Sequence, residues 1–424
     1  MIEIGRIREN SELFQQTAKW KKIDISIDEL IRTDDERRKT LQEVEALRQQ
    51  RNRATEQISE LMRNGRKEDA ERKKRKVTLV KEALAEREAL LQTLERRYRE
   101  LMLLVPNPVS PDTPVGDSDA DNVEIRKIGE PPVFGFEAKD HVALGTALHL
   151  FDIERGVKIA GSRNYVLKGM GLYLHRAVQQ LAVDFLSERG FTVMEVPLMV
   201  NRDSLVQSGF FPLGEEQTYE IVGEDKWLAG TSEAPLIAYY GNEIVDVTEP
   251  IRIGAVSNCF RQEVGSAGRD VHGLYRVHQF AKVEQVVICK DDPDLAEALL
   301  TEITQFAENL LSMLELPYRV VAVCTGDMSQ KNYKQYDIET WMPSRNGYGE
   351  THSSSSLLDF QARRSNLRYR DETGNLCYCY TLNNTAVATP RILIPLLENH
   401  QQADGSVRIP KVLQKYMRGA TEIR

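Results

Sequence analysis

The chain has 424 residues, 41% of them hydrophobic and 28% charged, with a formal net charge of −8. That is the composition of a folded protein of mixed class, long enough for two or three domains with a sizeable core. No apolar run approaches the roughly 20 residues of a membrane span. The opening Met1-Ile-Glu-Ile-Gly-Arg6 lacks the basic and apolar parts of a signal peptide, so a cytoplasmic location is expected. Cys259, Cys289, Cys324, Cys377 and Cys379 are an odd set without framework spacing, and the seven histidines form no ligand cluster. Neither disulfides nor a structural zinc is expected. Cys377 and Cys379 share one face of a strand predicted over 376–382, as small core residues.

Residues 1–34 read as short helices around Ser11–Trp20 and Ile27–Ile31. A long helix is predicted from about Glu36, because Val44, Leu47, Arg51, Ala54, Ile58 and Leu61 recur in steps of three and four. Asn64-Gly65 interrupts it. The pattern resumes at Val77, Val80, Leu84, Arg87, Leu91, Leu94, Tyr98 and Leu101, and Pro106 ends it. Two such helices around a tight turn make an antiparallel hairpin on the order of 50 Å long, expected to project from a globular body. From Glu36 to Arg99 there are 19 Lys/Arg against 12 Asp/Glu, so this segment carries +7 and the remainder −15. A basic segment on an acidic body suggests a local polyanion contact, and Arg72-Lys-Lys-Arg-Lys76 near the turn favours a phosphate backbone. A dimerisation coiled coil with solvated charges fits the same periodicity.

Pro106 to Pro132, with its prolines and the run Gly116-Asp-Ser-Asp-Ala-Asp-Asn122, reads as a linker, and a second domain is expected from about Phe134. Helices are predicted over 140–150 and 169–188, the second with Leu174, Leu181 and Phe185 in one stripe and Gly190 as its stop. Phe191–Val196 alternates as a strand and ends at Pro197.

The stretch Cys259–Glu284 has two strand-like runs around a glycine-rich basic loop of roughly a dozen residues, longer than the common hairpin loop of about 2–5. Period-two alternation puts Arg261 and Glu263 on one side of the first run, and Arg276, His278, Phe280, Lys282 and Glu284 on one side of the second. No apolar core accommodates that set. An arginine fork matches phosphate or carboxylate oxygens, a phenyl ring stacks on a base, and a glutamate accepts from an amine. A solvated hairpin with a charged outer face is the alternative.

Three further runs carry polar groups in suggestive order. In Leu228-Ala-Gly-Thr-Ser-Glu-Ala-Pro235, Thr231 can cap a helix with Glu233 in its first turn. In Glu350-Thr-His-Ser353, a carboxylate and a hydroxyl three residues on are oxygen donors suited to Mg²⁺, although a serine-rich loop fits as well. In Tyr380–His400, Thr381, Asn383 and Thr385 share a strand face. Thr389-Pro390 reads as a helix start with Arg391 beside it, and Pro395 argues for a later start or a kink. An anion at that helix end would accommodate the arginine.

Phe260-Arg-Gln-Glu263, the following Gly265-Ser-Ala-Gly-Arg-Asp270 and Gly273-Leu-Tyr-Arg-Val-His-Gln-Phe280 resemble motif 2 of the class II aminoacyl-tRNA synthetases, in the wording of the seryl-tRNA synthetases. The 169–188 helix with its strand is similar to motif 1, and Tyr380–His400 is similar to motif 3. The resemblance implies an α+β protein: a tRNA-binding helical coiled-coil arm over 1–105, a linker over 106–133, and a catalytic domain over 134–424 built on an antiparallel sheet flanked by helices. It implies a homodimer in which each arm serves tRNA-Ser (and tRNA-Sec where present) at the partner's active site. It also implies a reaction: L-serine and ATP give seryl-adenylate and pyrophosphate, then serine passes to the tRNA 3′ end.

By the same resemblance, Arg261 meets the α-phosphate and the serine carboxylate, and Arg391 meets the γ-phosphate. Phe280 stacks on adenine, Glu263 accepts from its amine, and Gln262 lies among the ATP contacts. Glu350, Thr351, His352 and Ser353 border ATP, with Glu350 and Ser353 on Mg²⁺. Thr231, Ser232 and Glu233 border serine, the first and last near its ammonium, while Glu284, Asn383 and Thr385 line its side-chain pocket. His352 stands where serine is common in the family, and Asn384-Thr385 where many members have Gly-Ser. A ligase loading a carrier protein would keep these motifs without the arm. A non-catalytic coiled-coil or RNA-binding protein would not need Arg261, Glu284 and Arg391 together.

Overall fold

The computed structural model describes residues 2–265 and 272–424. Residues 266–271, in the basic loop singled out above, lie outside them. The chain forms two compact units, one of Ile2–Lys19 and Ile23–Val105, the other of Trp20–Lys22 and Pro106–Arg424.

The first unit is dominated by helices α1 (Ile27–Arg63) and α2 (Lys67–Leu104). The long helix starts nine residues before the predicted Glu36, where the Ser26 hydroxyl accepts from the Glu29 N–H at 3.2 Å. Arg32-Thr-Asp-Asp35 looks like a break because Thr and Asp compete with helical backbone. Here their side chains are engaged instead. Thr33 donates to the Glu29 carbonyl at 2.8 Å, and Asp34 accepts from Arg8 and Arg37, each at 2.7 Å. The predicted seam is present: Val44, Leu84 and Leu91 are buried against Leu41 and Leu47. Arg48–Glu88 at 2.7 Å and Arg87–Glu43 at 3.3 Å tie its edges. Gly65 takes φ +74° at the turn, a left-handed conformation that glycine adopts without strain.

The second unit is built on an eight-stranded sheet. Its strands are β1 (Val123–Ile128), β2 (Thr192–Met194), β3 (Ile251–Phe260), β4 (Gln279–Cys289), β5 (Tyr318–Ala322), β6 (Lys334–Met342), β7 (Gly347–Leu358) and β8 (Tyr380–Thr389). The order is β1-β5-β6-β7-β8-β4-β3-β2. All neighbours are antiparallel, as expected, except the edge pair β2 and β3, which runs parallel.

Helices α3 (Met170–Ser187) and α4 (Pro293–Met313) bury Leu174, Leu181, Phe185, Leu300 and Ile303 with Val283, Val287 and Leu382 of the sheet in one core. Residues of the opposite β4 phase, Val286 and Ile288, pack in a second core with Leu236 and Ile237. Glu284 shares that second phase, so it sits where the sheet face is polar rather than helix-covered.

Two expectations from composition fail. The 106–133 segment, rich in prolines and acids, supplies the edge strand β1 and buries Asn107, whose amide donates to the Lys331 and Leu357 carbonyls at 3.0 and 2.8 Å. Its polar side chains are used on backbone, which hydropathy cannot anticipate. The strand predicted over 376–382 is broken at Cys379, which is buried while Cys377 is partly exposed.

Because Leu84 is buried in the seam of a separate compact unit, Leu84→Ala should weaken that unit by about 2–4 kcal/mol. Amide hydrogen exchange should speed up across Ile27–Leu104 while protection in β4 and β8 stays unchanged.

Candidate active site

A cavity of about 290 Å³ opens on the polar half of the sheet and gathers side chains from four strands, the start of the helix Glu233–Tyr239 and the loops around them. Arg261 and Arg391 both line it, 130 residues apart in sequence.

Arg261 follows the last residue of β3. Its Nε donates to the Gly230 carbonyl at 3.2 Å and its guanidinium lies 5.2 Å from the Phe280 ring centre. Glu263, at φ +52°, pairs with Arg276 at 3.3 Å. Phe280, Lys282 and Glu284 alternate along β4 into the same cavity, as their spacing predicts. His278 departs from that pattern: β4 begins only at Gln279, and the imidazole Nδ1 meets the Arg261 carbonyl at 2.9 Å, bracing the arginine's backbone. Gln262 also turns away from the cavity-lining set, donating to the Thr218 carbonyl at 3.0 Å.

Thr231 and Glu233 line the cavity at the start of the helix Glu233–Tyr239; Ser232 is buried behind them. The Thr231 hydroxyl accepts from the Glu233 N–H at 3.3 Å; the N-cap itself is Ser232, so Thr231 ties down the helix start from one residue before it while facing the cavity. Glu233 is engaged on both oxygens. Its Oε1 accepts from Lys331 at 2.5 Å, Gln361 at 2.7 Å and Asn383 at 2.8 Å, and its Oε2 from Lys331 at 2.6 Å. Lys282 contacts Glu284 as a second buried ion pair. The ammonium meets Glu284 Oε2. Burial raises the Glu284 carboxyl to about 7, an effect that Lys282 opposes and the nearby Glu233 reinforces. Asn383 and Thr385 of β8 complete this part of the lining.

Glu350–Ser353 is strand, not loop, and all four residues line the cavity. Strict alternation would put Glu350 and Ser353 on opposite faces, being three apart. The register slips instead: Ile338 faces His352 while Glu339 faces Glu350, so Thr351 is an extra residue in β7. Its hydroxyl meets Thr340 at 2.6 Å and His352 Nδ1 at 2.8 Å. Burial lowers His352 to about 3, which keeps the imidazole neutral. Ser353 accepts from Gln335 at 3.2 Å. Beneath it, burial and the nearby Glu350 carboxylate push Asp337 well above the usual carboxylate range.

Arg391 is held by backbone, by a ring and by a long ion pair to Glu350 at 3.5 Å. Its Nε donates to the Tyr275 carbonyl at 3.1 Å, its Nη1 to the Glu350 carbonyl at 3.2 Å, and its guanidinium lies 4.3 Å from the centre of the Tyr275 ring. The following helix begins at Leu393, later than Thr389-Pro390 suggests, so Pro395 falls in its first turn where no N–H is needed. The sequence reading missed Lys331, Gln361 and Tyr275. Lys282 was recognised on the strand face but given no part. Period two could have promoted Lys282, but no local pattern marks Lys331.

Comparison with known proteins agrees with this geometry. Residues 1–109 match the seryl-tRNA synthetase N-terminal domain, and residues 218–400 match the tRNA synthetase class II core domain (G, H, P, S and T). The serine–tRNA ligase of Deinococcus radiodurans is 44% identical over 420 residues, covering 99% of this chain and 98% of that protein. The serine–tRNA ligase of Finegoldia magna is 39% identical with 98% of each covered. Among solved structures, the seryl-tRNA synthetase of Pyrococcus horikoshii complexed with ATP superposes with a TM-score of 0.88 at 37% identity, covering 100% of this chain and 99% of that one. With its arm and its core both matched and its length spanned end to end, the chain belongs to the seryl-tRNA synthetases, within class II.

Proposed function

We propose that the protein is a serine–tRNA ligase that activates L-serine with ATP and transfers it to tRNA-Ser. The observation that carries this reading is one cavity holding Arg261, Arg391, Phe280 and the buried Glu284. It is supported by full-length relatives named as serine–tRNA ligases.

The nucleophile in the first step is the substrate carboxylate, which attacks the α-phosphorus of ATP. A carboxyl–phosphate anhydride forms, the bond to the β-phosphate breaks, and pyrophosphate leaves. In the second step a terminal ribose hydroxyl of tRNA attacks the anhydride carbonyl and AMP leaves. The protein contributes position and charge. In this reading Arg261 takes the α-phosphate and substrate carboxylate and Arg391 the γ-phosphate. Phe280 carries adenine with Glu263 on its amine. The substrate hydroxyl donates to Glu284, with Asn383 and Thr385 beside it. A site built to pair that hydroxyl rejects alanine, because the buried Glu284 oxygen would then lack a donor.

Mg²⁺ fits Glu350 and Ser353: a carboxylate and a hydroxyl brought to one face by the bulge, next to an Asp337 whose charge is suppressed by burial and by the Glu350 carboxylate. When bound there, it would neutralise phosphate charge. The arm of the first unit, with Arg72, Arg75 and Lys76 exposed, serves as the tRNA grip, and the protein acts as a cytoplasmic homodimer with each arm serving the partner's site. No helix among the described residues is long and apolar enough to cross a membrane.

ATP–pyrophosphate exchange over a panel of amino acids tests the substrate; exchange driven by another amino acid and not by serine rejects it. Arg261→Ala and Arg391→Ala should each lower kcat for exchange by roughly 10²–10³. Replacing Arg72, Lys73, Arg75 and Lys76 by Gln should weaken tRNA charging about tenfold or more and flatten its salt dependence, while leaving exchange intact.

The raised Glu284 carboxyl also sets a pH signature. Between its ordinary 4.5 and about 7 the folded protein holds a proton that the unfolded chain has released, so stability falls as pH rises through that window. Urea midpoints measured at about pH 5 and about pH 8 should differ less in Glu284→Gln than in the wild type.

A further inference from the structure

The inner wall of the cavity carries four ionisable side chains in two ion pairs, Glu233 with Lys331 and Glu284 with Lys282, each residue 9% exposed or less. An α-amino acid brings a carboxylate, for which Arg261 is available in the reading above. It also brings an ammonium, and that group needs an anion of its own. Neither carboxylate here lacks a cation. At Glu233, the residue expected to receive the substrate ammonium, a protein ammonium already contacts both oxygens, at 2.5 and 2.6 Å.

The lysine is not a stray surface chain. Its backbone is fixed on both sides: Asn107 donates to the Lys331 carbonyl at 3.0 Å, and the buried Lys21 donates to the Asn332 and Gln330 carbonyls at 2.6 and 3.3 Å. Its ammonium also lies 4.9 Å from the Phe210 ring centre. The pocket is thus electrically balanced before any substrate enters.

We infer that Lys331 is a specificity-determining residue that supplies the site with its own ammonium, so that serine must compete with it for Glu233 while a small hydroxy acid with a neutral 2-hydroxyl need not. L-glycerate, serine with a hydroxyl in place of the ammonium, is the matching substrate. Its 2-hydroxyl can accept from Lys331 and donate to Glu233, and its 3-hydroxyl reaches Glu284. Its carboxylate then attacks ATP with the same bond changes as serine, releasing pyrophosphate. The inference rests on the adenylating reading of this cavity.

The test measures ATP–pyrophosphate exchange with L-serine and with L-glycerate on the full-length protein and on Lys331→Met and Lys331→Ala. Met keeps the stem against Phe210 and removes the charge. Both variants should raise the serine-to-glycerate ratio of kcat/KM by more than about tenfold, through a lower serine KM and a loss of glycerate turnover, with the ATP KM unchanged. A smaller shift, or a shift the other way, overturns the inference while serine exchange by the wild type keeps the ligase reading alive. Absence of wild-type exchange with either acid instead overturns the ligase reading itself. If neither variant folds, inhibition of wild-type serine exchange decides: a glycerate Ki near or below the serine KM supports the role of Lys331, and one more than about tenfold above it refutes it.

Discussion

Two carboxylates buried in one sheet face are tolerable only because two ammoniums are buried with them, and the design of the cavity follows from that pairing. A lone ionised carboxylate under so little solvent costs several kcal/mol and would take up a proton instead. Glu233 avoids this with Lys331, Gln361 and Asn383 around it. Glu284 avoids it only partly: its one cation lies in the neighbouring same-face position of its own strand, and its carboxyl is raised accordingly. The difference assigns the two acids different work. Glu233 is a node that fixes three side chains in place. Glu284 has a single ammonium beside it and lines the cavity, which leaves it able to accept from a substrate hydroxyl.

The cationic groups are positioned by backbone rather than by carboxylates alone. Arg261 is tied to the Gly230 carbonyl and Arg391 to the carbonyls of Tyr275 and Glu350. A carbonyl orients a guanidinium without cancelling its charge, and the one carboxylate contact of Arg391, to Glu350, is long at 3.5 Å, so both remain able to meet an anion. The Tyr275 ring reinforces this, with Arg391 at 4.3 Å and Arg345 at 3.8 Å from its centre, and its hydroxyl donating to the Glu350 carbonyl at 3.2 Å. Tyr275 thereby links a proposed phosphate ligand to a proposed metal ligand through one aromatic side chain.

Periodicity made the helical hairpin legible, since Val44, Leu84 and Leu91 are buried where steps of three and four put them. It also made Phe280, Lys282 and Glu284 legible as one face of β4. It lost the start of α1, because Thr33 and Asp34 look like helix breakers until Arg8 and Arg37 are seen to hold the aspartate. It lost β1, an edge strand whose Val123 and Ile125 stay exposed and which follows a run of prolines and acids that reads as a linker. Lys331 was out of reach for a different reason. It sits outside any strand or helix, and its meaning comes wholly from a residue 98 positions away.

The alternation rule fails where the site needs it to fail. In β7, Ser355 and Ser353 face the cavity in phase, and without the extra Thr351 the next cavity-facing position would be that of Thr351, with Glu350 on the far side. In β8, Asn383 and Thr385 are in phase, and the slip at Ala386 lets Ala388 and the chain leading to Arg391 continue on the same face. Both slips lie in adjacent strands at the border of the cavity, and each leaves a residue out of the ladder. The sacrificed pairing is local, whereas the gain is that the proposed metal pair and the second arginine share a cavity with Arg261. A regular sheet made from the same residues would keep its ladder intact and divide these groups between its two faces.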